Sequence, residues 1–77
     1  VVLPDSAHLT FDRACWYLGM TPRRVPVGPD LRADPAAMAA AADDRTVAMV
    51  GSAPCYPFGV FDPIAAIAEV AAARGLW

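Results

Sequence analysis

VGSAPCYPFGVFDP, residues 50–63, decides how this chain folds. A valine-rich run ends here in small residues, followed by two prolines, two aromatics, a glycine and an Asp-Pro step. Pro54 and Pro57 each fix a φ angle. Gly51 and Gly59 permit a turn or a close approach of backbone. Asp62-Pro63 then reads as an N-cap with proline at the first helical position. Ile64, Ile67, Ala68 and Ala71 follow on one helical face, and Gly75 ends the segment after Arg74. A buried strand, a stiff loop and a helix in this order form one half of a βαβ unit. Either X-Pro bond of the loop can be cis, a choice that sequence leaves open. The loop can serve a ligand, or it can be a rigid connector with Phe58 and Phe61 filling the core.

The same grammar extends backwards. Asp34-Pro35 opens a second helix through AAMAAAA. A first helix places Phe11, Ala14, Cys15 and Leu18 on one face, with Thr10 as its cap, Asp12 in the first turn and Gly19 past its end. Between the helices lie VVL at 1–3, RVPV at 24–27 and TVAMV at 46–50. These runs are of strand length and lack polar alternation, as strands covered on both faces do. The order strand–helix repeated three times predicts an α/β fold with a mostly parallel sheet and right-handed crossovers. Pro26 marks a sheet edge or a break.

Composition sets the limits. The chain has 77 residues, 57% of them hydrophobic and 17 of them alanine, with a mean hydropathy of +0.39. So apolar a composition in so short a chain suits an interior slice of a larger protein, since small domains bury a modest share of their surface. Val1 is no initiator and Trp77 ends the chain without a polar tail, so residues 1–77 are expected to be part of a domain incomplete at both ends. Alone, they are expected to expose sheet edges and aggregate. A net charge of −2, with six arginines and no lysine, offers no basic stripe for nucleic acid. No apolar run approaches the roughly 20 residues of a membrane span, and no signal peptide is visible. Cys15 and Cys55 have no metal-ligand spacing and read as free thiols of a reducing compartment, the cytoplasm.

In open α/β sheets, ligands bind at the carboxyl ends of the strands. PDSAH and GSAPCYPFG lie at two such ends, which makes His8, Ser6 and Ser52 the polar candidates. His8 can act as base, ligand or stacking platform, or be a solvent-facing loop residue near a helix start. Ser6 and Ser52 can hold a ligand oxygen or cap turns. Arg23-Arg24 can attract an anion, although solvated residues at a strand start look the same. Arg13 with Tyr17, and Asp12 with Trp16, are surface pairs on the first helix. No G-x-G-x-x-G, P-loop, carboxylate pair or serine elbow is present.

SAHLTFDRACWYLGM, residues 6–20, resembles a segment of the group II pyridoxal-phosphate decarboxylases and the related sphingosine-phosphate lyases. In that segment a His-x-x-x-x-(Lys/Arg)-Ala run precedes a helix ending in Leu-Gly-Met. VGSAPCYPFGVFDPIAAIAEVAAARGLW, residues 50–77, is similar to the same family's strand, its Gly-x-x-Asp-Pro loop and the next helix. The RVPV strand and the ADPAAM helix stand between the two blocks in the family's order, so the resemblance covers essentially the whole chain. It implies the type I pyridoxal-phosphate fold, of which residues 1–77 would be part of the large domain. It also implies that His8 lies flat against the pyridine ring of pyridoxal 5'-phosphate, with Ser52 near the ring's phenolic oxygen.

The implied activity is that of a carbon–carbon lyase acting on an amino-acid or other amine substrate through an imine with the cofactor. Amino-acid decarboxylation is the first expectation and sphingosine-phosphate-lyase-like aldehyde release the alternative. Another type I enzyme, such as an aminotransferase or desulfurase, is the next. A homodimer is the family's usual state. The chain departs from the pattern in having no imine-forming lysine, no aspartate for the pyridine nitrogen and no phosphate-gripping loop. It therefore carries no catalytic residue of its own and is expected to be inert in isolation. A noncatalytic α/β interaction module is the reading from another class.

Overall fold

The structure is a computed structural model that describes all residues, 1–77. Two strands pair in parallel, β1 (Val2–Pro4) and β2 (Arg23–Val25), in the register Val2↔Arg23, Leu3↔Arg24, Pro4↔Val25. The third expected strand shrinks to a single parallel bridge between Val2 and Met49. Its hydrogen bonds are nonetheless regular: the Val2 N–H donates to the Ala48 carbonyl and the Val50 N–H to the Val2 carbonyl, each at 3.0 Å. β1 therefore lies between β2 and residues 47–50, and it is the only strand buried along its whole length. On the far side of residues 47–49, Trp77 exchanges two more backbone bonds, with the Val47 carbonyl and the Met49 N–H. β2 is exposed at Arg23 and ends before Pro26, which fits the edge position that the proline predicts.

Three helices follow the predicted segments: α1 (Thr10–Tyr17), α2 (Pro35–Ala41) and α3 (Ile64–Ala73). The Asp34 side chain caps α2, accepting the Ala36 and Ala37 N–H groups at 2.9 and 3.1 Å. Val2, Val25, Ala33, Met38 and Ile67 form one buried cluster, so α2 and α3 cover one face of the sheet. Leu3 alternates with Val2 and so faces the other way, beside Arg24 in the register. Arg24 reaches Asp12 of α1, which puts α1 on that second face. The β1 centre is thus covered on both sides, the reason its sequence lacks polar alternation.

Two expected helix caps are replaced. Thr10 is the first residue of α1 rather than its cap, and Leu9 at the N-cap makes no side-chain bond. Pro63 occupies the N-cap of α3, again without a side-chain bond. The side chains that were expected to cap, or that stand beside the caps, have other partners.

Candidate functional site

Both chemistry-bearing loops leave the sheet at the carboxyl ends of parallel segments. The first, residues 5–9, follows β1. Its Asp5 N–H bonds the Val25 carbonyl at 2.9 Å, and a turn closes from the Ala7 N–H to the Pro4 carbonyl at 2.9 Å. Ser6 and Ala7 are buried while His8 emerges into solvent. The His8 ring is not free to spin. Its Nδ1 accepts the Thr10 backbone N–H at 3.2 Å and lies 3.0 Å from Thr10 Oγ1. One of the unpaired N–H groups of the α1 terminus is thereby satisfied.

The second loop, residues 51–62, follows the bridge at Met49. Ala53-Pro54 is cis and Tyr56-Pro57 is trans. Gly51 supplies close approach: a Cβ there would stand 2.9 Å from Ile64 Cδ1 and 3.0 Å from Ile67 Cδ1. Gly59 supplies a turn at φ +67°, where an L side chain is strained. Phe58 and Phe61 are exposed, so the loop is not plugged into the core by its phenylalanines. Cys55 does that, buried and bonded through its backbone to Val60 and Gly59.

Asp62 fixes the base of this loop. The residue is 4% exposed, with Oδ1 accepting the Ala33 N–H at 2.9 Å and Oδ2 the Ser52 N–H at 2.8 Å. The expected local cap is thus a staple between the second loop and the segment leading into α2. Ser52 is held by its backbone and is half-buried. The two loops meet where Tyr56, itself 83% exposed, packs edge-to-face against His8 with ring centroids 5.2 Å apart. The structure therefore brings the His8 loop and the Ser52 loop to one edge of the sheet.

Arg24, which the sequence offers as an anion site or a solvated residue, is instead engaged within the chain. Its guanidinium donates to the carbonyls of Pro4, Asp5 and Ala7 and to both oxygens of Asp12. The hydrogen bond from Arg24 holds the Asp12 carboxyl below the ordinary aspartate range, and Asp12 raises Arg24 in turn. Trp16 pairs edge-to-face with Tyr17, not with Asp12. Ser6 Oγ is buried without a hydrogen-bond partner. Periodicity carried no signal for Arg24 or for the Asp62 staple, because both depend on partners distant in sequence.

No family model matches the chain. Individual proteins do. It is 43% identical over all 77 residues to a probable L-tyrosine/L-aspartate decarboxylase of Methanocella arvoryzae, covering 20% of that protein. Over 71 residues it is 42% identical to sphingosine-1-phosphate lyase 1 of Rattus norvegicus, covering 92% of this chain and 12% of the lyase. Among solved structures, the sphingosine-1-phosphate lyase of Burkholderia pseudomallei superposes with a TM-score of 0.95 at 35% identity, over 99% of this chain and 18% of that one. Mouse CSAD in its apo form shares the fold, with a TM-score of 0.86 at 22% identity over 99% of this chain and 18% of its own. The chain thus spans about a fifth or less of the length of the proteins it matches. From end to end, the chain is homologous to one stretch of group II pyridoxal-phosphate-dependent decarboxylases and sphingosine-1-phosphate lyases.

Proposed function

We propose that the whole protein carrying this segment is a pyridoxal-phosphate-dependent carbon–carbon lyase, and an amino-acid decarboxylase before an aldehyde-releasing lyase. The carrying observation is the match of the entire chain to both enzyme types, at 43% identity to the decarboxylase and a TM-score of 0.95 to the lyase. We assign residues 1–77 to part of the cofactor-binding large domain. The first-named relative favours decarboxylation; the CYPFG and FDP steps of the second loop favour the lyase branch.

The residues present fit the ring of a planar aromatic cofactor. His8 presents an exposed ring whose Nδ1 is already engaged by the helix, so its orientation is set before a ligand arrives. An imidazole held this way offers a π-face to a pyridine ring. Ser52 is anchored through its N–H to Asp62, which leaves its hydroxyl to serve an oxygen at the ring's edge. When bound, the cofactor supplies the electron sink for the bond broken at the substrate's Cα. This segment's part is to bind and orient: His8 by stacking, Ser52 by hydrogen bonding. It contains no lysine, so the covalent attachment of the cofactor falls to residues outside it. Cys15 and Cys55, both buried and unpaired, accord with a cytoplasmic enzyme. We expect a homodimer of the whole protein.

The test is product analysis. The whole protein, loaded with pyridoxal phosphate, is offered tyrosine, aspartate and a phosphorylated sphingoid base in separate reactions. Carbon dioxide with the matching amine supports the decarboxylase. A long-chain aldehyde with phosphoethanolamine selects the lyase. Transfer of the amino group to a keto acid, or no cofactor uptake, defeats the proposal.

A further inference from the structure

Residues 4–8 run from a buried strand to an exposed imidazole, and their carbonyls must be satisfied on the way. Ser6 and Ala7 are 2% and 4% exposed, so water is not the partner for Ala7. One side chain reaches three of them, the carbonyls of residues 4, 5 and 7. Arg24 Nη1 donates to the Pro4, Asp5 and Ala7 carbonyls at 3.3, 3.0 and 3.2 Å. Nη2 reaches the Ala7 carbonyl as well, at 3.2 Å. Nη2 and Nε together take both oxygens of Asp12, in the first turn of α1. The parallel register sets this up, because Leu3↔Arg24 places the arginine beside the point where β1 gives way to the loop.

We propose that Arg24 is the positioning residue of the His8 loop. It fixes the backbone on the N-terminal side of His8 through the Ala7 carbonyl, and fixes α1 on the C-terminal side through Asp12. The helix in turn holds the ring by the Thr10 N–H. His8 is therefore clamped from both directions, and its ring plane is determined by the pairing of β2 with β1. A planar fork with five N–H donors can span three carbonyls and a carboxylate. A lysine ammonium, with three donors around one point, cannot. The consequence for cofactor affinity rests on the stacking role proposed above for His8; the clamp itself does not.

The experiment uses the whole protein with Arg24→Lys, His8→Ala and the double variant, each prepared with and without cofactor. Arg24→Lys keeps the charge and is preferred to Arg24→Ala, which strands several acceptors at once; Asp12→Asn is the milder companion. In cofactor-free protein, Arg24→Lys should speed amide exchange across residues 5–10 about tenfold, the worth of one charge-assisted bond, while α3 keeps its rate. Unchanged exchange in residues 5–10 overturns the clamp. In the cofactor titration, Arg24→Lys should weaken pyridoxal-phosphate binding several-fold, by no more than His8→Ala does, and add nothing in the His8→Ala background. Effects that multiply in the double variant mean that Arg24 does not act through His8. Should His8→Ala bind the cofactor as the wild type does, the stacking role fails by itself, and the exchange rates of residues 5–10 decide on Arg24.

Discussion

Removing the Asp62 carboxylate should open the second loop at its base. Asp62→Ala leaves the Ala33 and Ser52 N–H groups, bonded at 2.9 and 2.8 Å, with no acceptor in a site that is 4% exposed. A buried donor stranded this way costs about 1–3 kcal/mol, so the pair costs about 4 kcal/mol. Asp62→Asn keeps the shape and one acceptor oxygen but turns an NH2 toward the other donor, and should cost about half as much. Amide exchange resolves both cases. Asp62→Ala should lower the protection of the Ser52 and Ala33 amides at least tenfold each, and Asp62→Asn should spare one of them. If both amides keep wild-type protection in Asp62→Ala, the carboxylate is not the staple and the geometry drawn from it is refuted.

Three further outcomes can be checked by urea unfolding of paired variants. Because Arg24 depresses the Asp12 carboxyl, the stabilisation it gives is fully present above the unfolded value of about 3.9 and is lost as pH falls through the lower folded value. The stability gap between wild type and Asp12→Asn should therefore be constant near neutrality and close below about pH 4; a gap that persists at lower pH contradicts the pairing. Leu31 adopts φ +63° and is 42% exposed, so Leu31→Gly should be neutral or stabilising by up to about 1 kcal/mol, whereas Leu31→Val should destabilise. Gly51→Ala should cost about 1–2 kcal/mol by pressing a Cβ on the Ile64 and Ile67 termini, and Ile64→Val should return part of that cost.

Local features of this fold could be read from the sequence and long-range ones could not. Asp34-Pro35 caps α2 as its residues dictate, since both cap bonds close within three positions. Gly19 and Gly75 take positive φ just past α1 and α3, as expected of glycine at a helix end. Asp62 looked equally local, but the Ala33 N–H lies 29 positions away, and that tertiary demand outweighs a cap on α3. Arg24 was invisible for the same reason: only the β1–β2 register brings it to the carbonyls of residues 4, 5 and 7. The TVAMV run reads as a strand, and it does run beside β1, yet Val2 is its single bridge partner, so a strand in pattern becomes one bridge in structure. The place of His8 and Ser52 at strand ends is legible in the sequence, whereas the Tyr56 contact through which their loops converge has no motif.

The central claim is that His8 presents its face to the cofactor ring, and one titration addresses it most directly. The whole protein and its His8→Ala and His8→Phe variants are titrated with pyridoxal phosphate, without substrate. Both variants lose the Thr10 N–H acceptor, so that loss cancels between them. Phenylalanine keeps a stacking face and alanine does not, a difference of about 0.5–1.5 kcal/mol for an aromatic pair. His8→Phe should bind the cofactor several-fold more tightly than His8→Ala and close to wild type. Equal affinities for the two variants would contradict the stacking account.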